Sequence, residues 1–181
     1  MAPKKWEIIA SGKNSGYRVF DLRTDTARSP RTGNTHDFFI IESPAWVNII
    51  PLTAQEEVVM IEQYRHGTRD ITLEIPGGMV EPNEEPSAAA LREMLEETGY
   101  CASTAMPLGF VHPNPAIQNN ACFSFWARDV LAAGKQTLDE REDIQVVLKP
   151  LKEIPELIRS GAITHSLVIV AFYRFFAERF R

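Results

Sequence analysis

The run Glu57 to Gln63 has Val-Val-Met-Ile at its centre, apolar without alternation, the pattern of a strand covered on both faces. It predicts a strand inside a central sheet. Upstream, shorter β-prone runs at Trp6 to Ala10, Tyr17 to Leu22, Phe38 to Glu42 and Trp46 to Ile50 are separated by turn chemistry at Gly12, Asn14, Gly16, Gly33 and Asn34. These predict a small antiparallel sheet. From Glu84 to Thr98 the period becomes helical: Asn83 is the expected cap, Pro86 suits the first turn and Gly99 suits the C-terminal cap. Leu91, Met94 and Leu95 form its expected apolar stripe. Strand-like runs follow at Leu108 to Val111, Cys122 to Ala127 and Ile144 to Leu148, then a helical stretch from Pro150 to Ser160 and a last helix from Ser166 to Phe180. This order predicts an α/β fold: a mixed central sheet with helices on both faces, extended at the N-terminus by antiparallel strands.

At 181 residues the chain is of single-domain size. Its 19 Lys and Arg against 24 Asp and Glu leave a formal charge of −5, which argues against broad attraction to a nucleic-acid backbone. Cys101 and Cys122 lack any metal-ligand or disulfide spacing and are expected to be buried thiols in a reducing compartment. No apolar signal region follows Met1, and no apolar run is long enough to span a bilayer, so a cytoplasmic address and no membrane partner are expected. His36, His66, His112 and His165 show no ligand spacing and are expected to be structural or exposed.

The chemistry concentrates on the helix from Glu84 to Thr98. Glu93 and Glu97 are four residues apart and Glu96 is three from Glu93, so the three carboxylates should share one face opposite the apolar stripe. Like charges at that spacing repel, which invites a cation, and hard oxygen ligands favour Mg²⁺ or Mn²⁺ over zinc. An isolated cluster of this kind reads as a solvated acidic face. Here it is not isolated: Gly78 is followed after five residues by Glu84, and after seven more by Arg92-Glu93-Met94-Leu95-Glu96-Glu97-Thr98-Gly99-Tyr100. That spacing resembles the Nudix box, G-x5-E-x7-R-E-U-x-E-E-x-G-U with U a bulky apolar residue.

The resemblance implies a Nudix α/β/α sandwich over residues 45 to 181, with residues 1 to 44 as a β extension used in dimerisation, whose strands exchange between subunits in some members. It also implies two or three Mg²⁺ or Mn²⁺ ions on a diphosphate. Carried onto this chain, Glu93 and Glu97 become the chief metal ligands, Glu96 assists, and the Gly77 carbonyl is a backbone ligand. Arg92, one step from Glu93 and four from Glu96, is suited to orienting the carboxylates.

The flanks resemble one branch of the family, the ADP-ribose and nucleoside-diphosphate-sugar pyrophosphatases. Ile61-Glu62-Gln63-Tyr64-Arg65 and Leu73-Glu74-Ile75-Pro76-Gly77 precede the box as they do there. The resemblance implies that Arg65 contacts the substrate diphosphate and that Glu74 lines the same site. Alternatively, Arg65 ends a strand in solvent and Glu74 pairs with a neighbouring arginine such as Arg69. Pro115 stands where that branch places a proline after the box, but Ala116-Ile117-Gln118-Asn119-Asn120 follows in place of Gly and a Ser/Thr-x-Glu run. Neutral amides such as Gln118 there imply relaxed choice among nucleotide sugars. Glu140-Arg141-Glu142-Asp143-Ile144 is similar to an E-x-E-D-I run, which makes Glu140 the candidate general base and Glu142 a further metal ligand. Tyr17 and Phe38 are candidates for stacking on the base. The implied activity is hydrolysis of a nucleotide sugar, ADP-ribose foremost, by a homodimer. The rivals are a nucleoside triphosphate or dinucleoside polyphosphate hydrolase, and a non-catalytic ADP-ribose-binding module.

Overall fold

A computed structural model describes residues 2–179, in two compact units. The first comprises the chain up to Ala45 together with His112–Ala121. Its strands β1 (Glu7–Gly16), β2 (Asp21–Arg28) and β3 (Thr35–Glu42) pair antiparallel in that order. The expected turns at Gly12 and Asn14 are absorbed into β1, with register shifts at Ile8/Ala10 and Lys13/Ser15. The expected strand Tyr17 to Leu22 instead opens with a hairpin turn in which Tyr17 N–H donates to the Phe20 carbonyl. The physical reason is polar pairing across the strands: Ser11 donates to Asp25 and Lys13 to Asp21, each at 2.6 Å. Such side chains carry no hydrophobic alternation. Residues 112–121 lie along β3, where Ile41 N–H donates to the Ile117 carbonyl and Ile41 bridges Gln118.

The second unit is built on a seven-stranded mixed sheet. Its elements are β4 (Trp46–Leu52), β5 (Glu57–Arg65), β6 (Asp70–Glu74), β7 (Gly77–Met79), α1 (Pro86–Thr98), β8 (Tyr100–Cys101), β9 (Met106–Val111), β10 (Cys122–Arg128), β11 (Leu131–Ala132), β12 (Ile144–Pro150), α2 (Ile154–Arg159) and α3 (Ser166–Arg179). Phe180, the expected end of the last helix, lies outside the described residues. The strand order is β12-β5-β4-β10-β9, with β6 added to β5 and β7 to β4; β10 runs parallel to β4. Trp46 to Ile50, expected in the N-terminal sheet, is thus part of the central strand β4. Strands β8 and β11 pair as a separate ribbon.

Alternation along β4 and β5 divides the core. Val47, Ile49 and Val59 meet Ala89, Ala90 and Met94 of α1, while Ile50, Leu52, Val58 and Met60 meet Ile154 of α2 and Val168, Phe172 and Phe175 of α3. The sheet is covered on both faces, as the unbroken apolar run at Val58 to Ile61 requires. Each large side chain so buried contributes about 1.5–3 kcal/mol of transfer free energy.

Candidate active site

Helix α1 starts at Pro86, with Glu85 rather than Asn83 in the cap position and no side-chain cap bond; Asn83 takes a left-handed backbone (φ 66°) in the preceding turn. At its end Gly99 has φ 72° and donates its N–H to the Leu95 carbonyl, the geometry that ends helices on glycine. The face turned to the sheet runs Ala90, Met94, Glu97 and Thr98, while Leu95 is 43% exposed. The expected stripe of Leu91, Met94 and Leu95 is therefore rotated. The small Ala89 and Ala90 set the contact instead, and a glutamate continues the buried row.

That glutamate is 4% exposed and accepts the Gly77 N–H at 2.9 Å. Burial, reinforced by the charges of Glu93 and Glu142, pushes its carboxyl up to about 8 despite that hydrogen bond. Burial also raises Glu93, against the pull of Arg92. The two carboxylates lie beside β7, which antiparallel pairing ties to β4. Glycine is required at Gly77, where a Cβ would overlap the Val47 carbonyl, while a Cβ on Gly78 would displace the Glu93 carboxylate.

Arg92 organises the remaining acids. Its Nε and Nη2 donate to the two oxygens of Glu84 at 2.9 Å each, and Nη1 donates to Glu93 at 2.9 Å and to Glu96 at 3.0 Å. Nη2 also reaches the Met79 carbonyl at 3.1 Å, joining helix to loop. One guanidinium serves three carboxylates, and Glu97 makes no ion pair among the described residues. Turned toward Arg92 and Gly77 N–H, these side chains do not gather three acidic, His or Cys groups in metal-binding geometry among the described residues. The donor set nevertheless fits a hard divalent cation: the candidate donors are all oxygen, the buried Glu97 and half-buried Glu93 are held above the usual carboxylate range, and negative charge exceeds the one arginine.

The NUDIX domain profile matches residues 43–168. The chain belongs to the Nudix family. Among relatives of this Nudix protein, the "ADP-ribose pyrophosphatase" of Bacillus subtilis (strain 168) is 30% identical over 155 residues, covering 85% of this chain and 80% of that protein. The "Methanol dehydrogenase activator" of Bacillus methanolicus is 33% identical over 172 residues, covering 92% and 88%. A solved structure described as an ADP compounds hydrolase superposes with a TM-score of 0.84 at 20% identity over 97% of this chain and 94% of that one, a likeness of fold. The protein is a Nudix pyrophosphohydrolase with the expected mixed-sheet α/β architecture.

Beside the Nudix loop, a cleft of about 500 Å³ is lined by Trp46, Asn48, Arg65, Thr72, Glu74 and His165, among others. Arg65 and Glu74 form a two-pronged pair, Nε to Oε1 and Nη2 to Oε2, both at 2.7 Å. Thr72 adds a 2.6 Å bond to Oε1. Burial alone would raise Glu74, but the Arg65 hydrogen bonds and charge, with Thr72, hold it below the usual carboxylate range. The arginine paired with Glu74 is thus Arg65, across the β5–β6 ladder, rather than Arg69, which turns the corner with φ 58°. Glu74 thus lines the cleft and is ion-paired within it.

Of the other residues singled out in the sequence, Glu142 accepts the Asp139 N–H at 2.9 Å and its charge acts on Glu93 and Glu97; Glu140 is exposed on the same turn. Tyr17, Phe38, Pro115 and Gln118 belong to the first unit, where the Tyr17 and Phe38 rings are exposed. Asn48, Thr72 and His165 of the cleft were not anticipated. The signal for His165 was its place directly before a long apolar helical run, a capping position rather than a ligand spacing.

Proposed function

We propose that this pyrophosphohydrolase cleaves nucleoside diphosphate sugars, ADP-ribose foremost, with Mg²⁺ or Mn²⁺, releasing a nucleoside monophosphate and a sugar phosphate. The observation that carries the metal dependence is Glu97: burial beside Glu93 with one N–H partner makes its ionised carboxylate costly in the metal-free protein, and a divalent cation would stabilise that ionised form. Glu93, Glu97, Glu96, Glu142 and the Gly77 carbonyl are the residues that would hold the ions. Bound there, divalent ions supply neutralisation of the diphosphate and a lowered pKa for the attacking water. Arg92 fixes the rotamers of Glu93 and Glu96, and Glu84 fixes Arg92 in turn. Glu140, on its exposed turn, serves as general base and takes the proton from the water as it attacks phosphorus. Arg65, with Nε and Nη2 directed to Glu74, has Nη1 left to meet a phosphate oxygen.

The ADP-ribose pyrophosphatases of Bacillus subtilis and Mycobacterium tuberculosis, the latter 27% identical over 172 residues, support the nucleotide-sugar substrate. Exposed Trp6, Ile8, Ile9, Tyr17, Phe38 and Phe39 on the first unit support a homodimer formed through the N-terminal strands, with Tyr17 and Phe38 available to stack on a base and Pro115 and Gln118 to meet the substrate. The free thiols Cys101 and Cys122 support a reducing, cytoplasmic setting. No helix among the described residues is long and apolar enough to cross a membrane.

The test is product analysis on a panel of nucleotide sugars, nucleoside triphosphates and dinucleoside polyphosphates, before and after chelation. ADP-ribose should give AMP and ribose phosphate only when Mg²⁺ or Mn²⁺ is restored. Turnover confined to triphosphates, or undiminished by chelator, overturns the reading. The relative from Bacillus methanolicus, described as a methanol dehydrogenase activator, favours a second reading, activation of a methanol dehydrogenase, tested by adding the protein to such a dehydrogenase and following its rate.

A further inference from the structure

His165 stands immediately before α3, and its ring does the work of a cap: Nδ1 accepts the Leu167 N–H at 3.3 Å, while its own carbonyl accepts the Ile169 N–H. An imidazole nitrogen that accepts is unprotonated, so in the neutral ring the proton sits on Nε2. Burial and the nearby Arg65 hold His165 below its ordinary range, against Glu74, and so favour that neutral ring. Nε2 lies 3.8 Å from Glu74 Oε2, beyond hydrogen-bond length, and makes no hydrogen bond among the described residues. Glu74 is unevenly used. Its Oε1 takes Arg65 and Thr72, whereas Oε2 takes Arg65 alone.

A donor and a half-used acceptor therefore lie 3.8 Å apart on two residues that line one cleft. A group that joins them must accept from Nε2–H and donate to Oε2. Phosphate oxygens only accept and would lie against a carboxylate whose arginine is already matched to it, so the pair disfavours phosphate. A hydroxyl does both. Asn48, another residue of this cleft, donates from Nδ2 to the Leu167 carbonyl at 3.2 Å, which ties the start of α3 and so His165 to β4. One donor and one acceptor at this spacing suit a sugar hydroxyl rather than an anion.

We infer that His165 and Glu74 form a hydroxyl-reading subsite for a sugar of the substrate, with His165 a specificity-determining residue. This rests on the nucleotide-sugar reading. The hydroxyl could come from the sugar beyond the diphosphate or from the nucleoside ribose, and the substrates below separate the two.

The test uses His165→Asn, because asparagine retains an oxygen that caps a helix but cannot reach as Nε2–H does, with His165→Ala as the variant that also loses the cap. For each protein kcat/KM is measured on ADP-ribose, on ADP carrying a methyl ester in place of the second sugar, and on ADP-ribose with 2′- or 3′-deoxyadenosine. The wild-type preference for ADP-ribose over the methyl ester should fall about tenfold or more in both variants, the size of one lost hydrogen bond to a substrate hydroxyl. A fall instead in the preference over a deoxyadenosine form supports the subsite and assigns the hydroxyl to the nucleoside. If His165→Asn keeps every preference and only His165→Ala loses activity, His165 is a helix cap and the inference is overturned while the nucleotide-sugar reading stands. If the wild type cleaves no nucleotide sugar, both fall together.

Discussion

Two arginines in the second unit meet glutamates in opposite proportions. Arg92 is shared among Glu84, Glu93 and Glu96, with Glu97 buried near by and Glu142 adding its charge. Arg65 is matched to Glu74 alone, two bonds to two oxygens. The first arrangement leaves a surplus of negative charge that burial makes costly, and so it is poised for cations. The second is balanced, so it keeps its geometry without a ligand and presents polar groups that can discriminate. In the proposed function the charge surplus serves the reaction, and the charge balance forms the wall beside it.

The sharpest way to break the comparison is at the surplus. Glu93→Gln should lower kcat about a thousandfold, roughly 4 kcal/mol of transition-state stabilisation, because the proposed ligand loses its charge and one of its two oxygens. Steady-state release of nucleoside monophosphate at saturating Mg²⁺ measures it, and near-normal turnover would remove Glu93 from the metal site.

The surplus also has a pH signature in the metal-free protein. Glu97 binds its proton more tightly folded, at about 8, than at its ordinary 4.5, so folding favours the protonated acid. Its contribution is fully present below 4.5 and is lost as pH rises toward 8. Denaturant midpoints in chelator should therefore fall across that window, and Glu97→Gln should flatten the slope. Midpoints that climb instead would contradict the buried-acid picture. Glu74 has the opposite sign. Its lowered value means that its contribution is present above 4.5 and lost as pH falls through the folded value.

At the balanced pair, Glu74→Ala should destabilise by about 2 kcal/mol, less than the 3–5 of a fully buried pair because Arg65 is 41% exposed at its side chain. A thermal melt that shifts by several degrees checks this; no shift would mean that Arg65 finds water instead. The smallest effect belongs to the rotated helix face. Leu95→Gln should change stability by no more than about 0.5 kcal/mol, against about 3 for the fully buried Met94→Ala. Equal losses at the two positions would restore the stripe expected from the sequence.

Much of the second unit was legible in the chain itself. Val58 to Ile61 announced a two-sided strand, Gly99 announced the end of α1, and the spacing from Gly78 to Tyr100 announced the family, because local periodicity and fixed offsets along one helix are properties of sequence. The first unit was harder. Its strands are held by polar pairs such as Ser11 with Asp25, which leave no apolar rhythm to read.

The helix with its glutamates, and the two-sided strand at Val58 to Ile61 before it, were determined by the sequence alone. Only tertiary structure decided that Glu97 is buried rather than solvated, that Glu74 pairs with Arg65 rather than Arg69, and that His165, 91 residues beyond Glu74, comes within 3.8 Å of it. The reason is physical. Spacing fixes which side chains share a face, but burial and charge balance depend on what the other strands bring against that face, and no local pattern records that.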